Sequence, residues 1–135
     1  MGTERIVLAL GELGRIVTGK TPKTEVKEYF GGSVPFITPT DMDGRKVMDA
    51  AIRNLTEQGA ESIRGSRIPK GSVMVSCIGS DMGKVAIAGR DAVTNQQINS
   101  IIVDKRFDAE YVYYNLSTRK AELRHLASSG STLPL

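Results

Sequence analysis

Val73-Met74-Val75-Ser76-Cys77-Ile78, Gly79-Ser80-Asp81-Met82-Gly83 and Lys84-Val85-Ala86-Ile87-Ala88 follow one another without a break. Two apolar runs flank a glycine-bounded loop, which is the pattern of an antiparallel hairpin with a loop longer than the two-residue minimum. Outward from this hairpin, the same apolar alternation with β-branched residues marks short strands around Ile16 to Thr18, Pro35 to Thr38 and Ser100 to Val103. Glycine and proline punctuate the junctions at Gly19-Lys20-Thr21-Pro22, Gly31-Gly32, Asp43-Gly44 and Pro69-Lys70-Gly71, so the connections are turn-rich and exposed.

Helical spacing is clearest from Ala109 to Ala127. There Ala109, Val112, Tyr113, Leu116, Leu123 and Ala127 recur at three- and four-residue steps behind Asp108 as N-cap, which predicts a helix packed on the sheet. A shorter helix is expected from Thr56 to Ile63 with Thr56 capping it, and a further turn from Thr24 to Phe30. Strands and helices alternate too irregularly for a doubly wound sheet. The expected class is α+β: one small, turn-rich domain over residues 1–135, with a twisted mixed or antiparallel sheet, a few short helices and one longer C-terminal helix. Beyond Ala127 the chain runs through small polar residues to Leu133-Pro134-Leu135, two leucines with nothing evident to pack against, as in a chain cut short.

The 135 residues are 40% hydrophobic and 24% charged, the composition of an ordinary globular domain. Aromatic residues make up only 5%, with no Trp, against 14 glycines, so loops should carry much of the shape. A net charge of +3 is far from a polybasic tail, and the halves split at Arg67 carry +1 and +2. One cysteine excludes an internal disulfide, and Cys77 with the lone His125 cannot supply a four-ligand zinc site without carboxylates. The start lacks the basic and apolar regions of a signal peptide, and no stretch approaches the roughly 18 apolar residues of a membrane span. A cytoplasmic, reducing location and no membrane partner are expected.

Catalytic patterns fail one by one. Gly79-Ser80-Asp81-Met82-Gly83-Lys84 has three residues between its glycines where a P-loop has four, and Val85 where a magnesium-binding hydroxyl belongs. Cys77 and His125 could form a thiolate and base only if close together, whereas a cysteine in an apolar strand is ordinarily structural. Ser117-Thr118-Arg119-Lys120 fits Ser-x-x-Lys but lacks the companion motifs. Glu25-Val26-Lys27 lacks the upstream strand aspartate of a metal-dependent nuclease. No catalytic residue, metal or cofactor is expected.

What remains is a set of loops suited to nucleic acid. Lys20, Thr21 and Lys23 lie in one, Thr38, Thr40 and Asp41 in a second, Ser80 and Lys84 in a third, Asn95 and Gln96 in a fourth. The polar run from Ser128 to Thr132 makes a fifth. Lysine, serine and threonine bind phosphate oxygens, Asn and Gln amides pair with adenine, and Asp accepts from cytosine. On this reading Lys20 and Lys84 fix register on phosphate and Asp41 contributes to base preference. The same residue types also cap helices and tie turns, and Asn95-Gln96 serves equally well as a structural clasp.

Several of these stretches, in this order, carry a family resemblance. Leu10-Gly11-Glu12-Leu13, Thr18-Gly19-Lys20-Thr21-Pro22 and the run from Tyr29 through Gly31-Gly32-Ser33-Val34-Pro35-Phe36-Ile37-Thr38-Pro39-Thr40-Asp41 open the series. Ile68-Pro69-Lys70-Gly71, Gly83-Lys84-Val85-Ala86-Ile87, Thr94-Asn95-Gln96-Gln97 and Ser129-Gly130-Ser131-Thr132 continue it. The chain resembles a target recognition domain from the specificity subunits of type I restriction-modification systems. Phe36 stands where that pattern often has Trp, and Gln97 where it often has Gly.

The resemblance implies a subunit with two recognition domains, each reading half of a split double-stranded DNA target, joined by long spacer helices. Methyltransferase subunits, and through them the restriction and translocase subunit, would be its partners and would hold the methyl donor, nucleotide and metal. This chain would be one such domain, the amino-terminal one given Met1, ending before the spacer helix. The recognition domain of a single-chain restriction-methyltransferase fusion would look alike over this span. A non-enzymatic protein-interaction domain is the alternative of another class, and a small phosphate-dependent enzyme comes third.

Overall fold

The computed structural model describes residues 11–77 and 83–119. Within them the strands are β1 (Gly14–Thr18), β2 (Phe30–Ile37), β3 (Val47–Met48), β4 (Arg53–Leu55), β5 (Arg67–Ile68), β6 (Val73–Ser76), β7 (Val85–Ala88), β8 (Ala92–Thr94) and β9 (Ile98–Val103). Helix α1 (Glu57–Ser62) follows β4, and α2 (Ala109–Ser117) follows β9.

The strands form two mixed sheets, ordered β1-β9-β6-β7-β3 and β4-β2-β8-β5. The hairpin is present as antiparallel β6 and β7, with Val73 opposite Ile87 and Val75 opposite Val85. Two pairs are parallel, β3 with β7 and β2 with β8. Mixed α+β architecture with few helices is thus what the sequence led us to expect, with the strands shared between two sheets.

Side-chain alternation explains how four layers stack. On the larger sheet Val73, Val75, Cys77, Ile87 and Ile101 face α2 and pack with its Val112 and Leu116. The opposite face presents Met74, Ala86, Ala88 and Ile98 to Ile37, Ile68 and Ala92 of the smaller sheet. The smaller sheet turns Val34, Phe36, Leu55 and Val93 the other way, onto Ala60 of α1 and Ile63 just beyond it. The order is helix, five strands, four strands, helix, with a core in each gap.

Both helices start where their caps predict. Asp108 accepts from the Glu110 N–H at 2.9 Å, and Thr56 accepts from the Gly59 N–H at 3.0 Å. Ala109, Val112, Tyr113 and Leu116 meet the core as the spacing requires. α2 ends at Ser117 with Thr118 as C-cap. The expected continuation to Ala127, with Leu123, His125 and the polar tail, lies outside the described residues.

The turn expected from Thr24 to Phe30 is a 3-10 turn at Lys27–Tyr29. β2 begins earlier than its apolar pattern, because Gly31-Gly32 is not a junction. Leu55 pairs with both Phe30 and Val34, so the residues between them form a bulge, and Gly31 adopts φ +88°.

Candidate nucleic-acid interface

β2 and β8 run parallel and end together, with Phe36 beside Val93 and Ile37 beside Thr94. Their next residues, Thr38 and Asn95, therefore open two of the expected loops side by side. The Asn95 N–H donates to the Ile37 carbonyl at 3.0 Å. Parallel strands that stop together leave diverging loops beyond their carboxyl ends, a common location for binding groups in α/β sheets.

The loop after β1 joins the same place. The Gly19 N–H donates to the Ile98 carbonyl at 3.1 Å and the Lys20 N–H to the Thr94 carbonyl at 2.9 Å. This lays residues 19–21 across the ends of both sheets. Glycine is required at 19 by contact, because a Cβ there would overlap the Asn95 carbonyl oxygen and the Thr94 hydroxyl. The Thr21 hydroxyl then donates to Gln96 Oε1 at 2.7 Å. Below it, the Thr18 hydroxyl donates to Asn99 Oδ1 at 2.7 Å.

Residues flanking the hairpin loop complete the group. The Cys77 N–H donates to the Gln97 carbonyl at 2.8 Å. On the other side, Lys84 Nζ donates to the Pro39 carbonyl at 3.3 Å, and its N–H to the Ser76 hydroxyl at 2.9 Å. Ser80 lies between them, outside the described residues. The structure therefore brings Lys20, Thr21, Thr38, Thr40, Asp41, Lys84, Asn95 and Gln96 to one end of the molecule. Lys23 follows on the same loop.

Within this group the side chains divide by exposure and by partner. Lys20, Lys23, Thr40 and Gln96 are exposed, while Thr21, Thr38, Asp41, Lys84 and Asn95 are half-buried. Asp41 Oδ2 accepts from the Thr38 N–H at 2.9 Å and the Thr38 hydroxyl at 3.2 Å, closing the 3-10 turn Pro39–Asp41. Its Oδ1 accepts from the Ile52 N–H at 2.9 Å. Asn95 Oδ1 accepts from the Gln97 N–H at 3.1 Å, and its amide nitrogen donates to Gln97 Oε1 at 3.4 Å. Asp41 and Asn95 thus hold loops in shape, and the exposed lysines, Thr40 and Gln96 point chemistry outward. Nothing in the sequence placed Ile52 beside them, since it falls between two strands too short to show a pattern.

Cys77 is buried, and burial raises its thiol pKa, partly offset by the hydrogen bond that Asn99 donates to its sulfur at 3.1 Å. A raised thiol pKa is opposite to what a nucleophile needs. Next to the interface, Arg45 draws the exposed Asp43 carboxyl below its ordinary range through a side-chain hydrogen bond. Among the described residues no group of three or more His, Cys, Asp or Glu could hold a metal ion. No helix among them is long and apolar enough to cross a membrane.

The chain is thus a two-sheet α+β domain that gathers polar, cationic loops at one end. Residues 6–134 match the family model of the type I restriction modification DNA specificity domain, and the chain belongs to that family. It is 39% identical over 125 residues to the HindI specificity subunit of Haemophilus influenzae, covering 91% of this chain and 27% of that protein. It is 34% identical over 131 residues to the MjaIX specificity subunit of Methanocaldococcus jannaschii, covering 95% and 30%. The chain thus spans under a third of these relatives.

Solved structures share the fold. The HsdS subunit from Thermoanaerobacter tengcongensis superposes with a TM-score of 0.66 at 17% identity, over 84% of this chain and 27% of that one. The type I restriction-modification S subunit from M. genitalium gives 0.60 at 14%, over 90% and 28%.

Proposed function

We propose that this chain is one double-stranded DNA recognition domain of a type I specificity subunit, reading one half of a bipartite target. The observation that supports this most is the meeting of three polar loops, with Cys77 and Lys84 beside them, at the shared end of β2 and β8. In this reading Lys20, Lys23 and Lys84 hold phosphates, while Thr40 and Gln96 reach base edges in the major groove. Ser80 joins the phosphate contacts. Asp41, Asn95 and Thr21 set the loops that carry them.

The domain makes and breaks no bonds. Methyl transfer and cleavage belong to methyltransferase subunits and to the restriction and translocase subunit they recruit. A second recognition domain supplies the other half-site, and linking the two raises affinity through effective concentration. Alone, the chain buries on the order of 600–1,000 Å² on DNA and binds weakly and salt-sensitively.

Binding to duplex pools across a salt series tests this. Lys20→Ala and Lys84→Ala each reduce the salt slope by about one and weaken all sequences alike. Gln96→Ala instead changes which sequences are enriched. Salt slopes unchanged by both lysine variants would overturn the placement.

A further inference from the structure

Between β3 and β4 the chain crosses from the larger sheet to the smaller through residues 49–52. Three successive residues fix this crossing. Ala51 packs into the core between the sheets. The Ile52 N–H is held by Asp41 Oδ1 at 2.9 Å. The Arg53 guanidinium lies over the rings of Phe30 and Phe36, at 5.1 and 5.6 Å from their centroids. Yet the Ile52 side chain is 79% exposed.

A lone exposed isoleucine is ordinary on a protein surface. This one has a fixed backbone and hangs on the same carboxylate that closes the turn bearing Thr40. It therefore stands at the edge of the loop cluster, an apolar group among hydrogen-bonding ones. Its β-branched side chain has few rotamers, so little freedom is lost on contact. In the major groove the matching apolar feature is the C5-methyl of thymine.

We propose that Ile52 is a specificity-determining residue that packs on the C5-methyl of a thymine, with Asp41 as its positioning residue. The proposal rests on the DNA reading above and adds one base to it. Asp41 acts through Ile52 and the turn, since both of its oxygens accept hydrogen bonds from within the chain.

The test uses the full 135-residue chain. A preferred half-site is selected from a random duplex pool, and each thymine is then replaced in turn by deoxyuridine, which removes only the methyl group. At one position the exchange weakens binding about fourfold, the value of one buried carbon. Ile52→Ala binds the thymine duplex at least about fourfold more weakly and is indifferent to the exchange there. Asp41→Ala loses the same thymine–uracil difference together with the preference carried by Thr40, whose turn it also closes, and keeps the preference carried by Gln96. A pool that yields no preferred sequence removes the DNA reading and the proposal with it. A preferred sequence with no methyl-sensitive thymine, or an Ile52→Ala variant that keeps the methyl response, overturns the proposal alone.

Discussion

Gly19 shows how one residue can join two loops. Adding a methyl group there drives it into the Asn95 carbonyl and the Thr94 hydroxyl, so the loop after β1 must lift away from the end of β8. Gly19→Ala is expected to cost about 1–3 kcal/mol in urea unfolding and to weaken DNA binding further. Gly65→Ala, which meets nothing within 4 Å, stays within about 0.5 kcal/mol. Equal stability of the two variants would disprove the contact. At this scale the sequence revealed chemistry but not partners. It placed Lys20, Thr40 and Gln96 in polar loops, and the structure leaves them exposed. It grouped Asp41 with the base-reading residues, but could not show that backbone N–H groups of Thr38 and Ile52 would occupy both carboxylate oxygens.

Elements were legible in proportion to their length. The β6–β7 hairpin, β1, β9 and the start of α2 follow from periodicity, because each buries a regular set of side chains. β3, β4, β5 and β8 have two or three residues each and exist because a neighbour pairs with them, which no local pattern records. α1, only six residues long, announced itself through its cap. The Thr56 hydroxyl accepts from Gly59 and donates to the Glu28 carbonyl at 2.6 Å, fastening the helix to the turn before β2. Thr56→Ala should lower stability by about 1–2 kcal/mol, read as a lower urea midpoint with an unchanged slope, whereas Thr56→Ser recovers most of it. A serine variant no better than alanine would show that the hydroxyl contributes nothing.

For the whole molecule, class and family were readable, whereas the meeting of the loops was not. That meeting depends on β2 lying parallel to β8, a contact between segments far apart in the chain. The central layers also set a response to pH. Burial holds the Cys77 thiol pKa above its ordinary 9.0, so the unfolded chain loses that proton first. Stability from this group is complete below about pH 9 and declines as pH rises above the unfolded value. The urea midpoint of the native chain should therefore fall more steeply between pH 8 and 10 than that of Cys77→Ala. Parallel declines would refute the linkage.

The exposed side chains of the interface belong to none of the three cores. Lys20, Lys23, Thr40 and Gln96 can each be exchanged without emptying a packed site. Gly19 and Asp41 are not free to change in this way, since a side chain at 19 would overlap the Asn95 carbonyl and Asp41 ties the Thr38 and Ile52 N–H groups together. The exposed groups at this end of the molecule can therefore vary while the frame beneath them stays unaltered. On the DNA reading proposed above, a change of address on DNA would need only surface substitutions, which leave the three cores as they are.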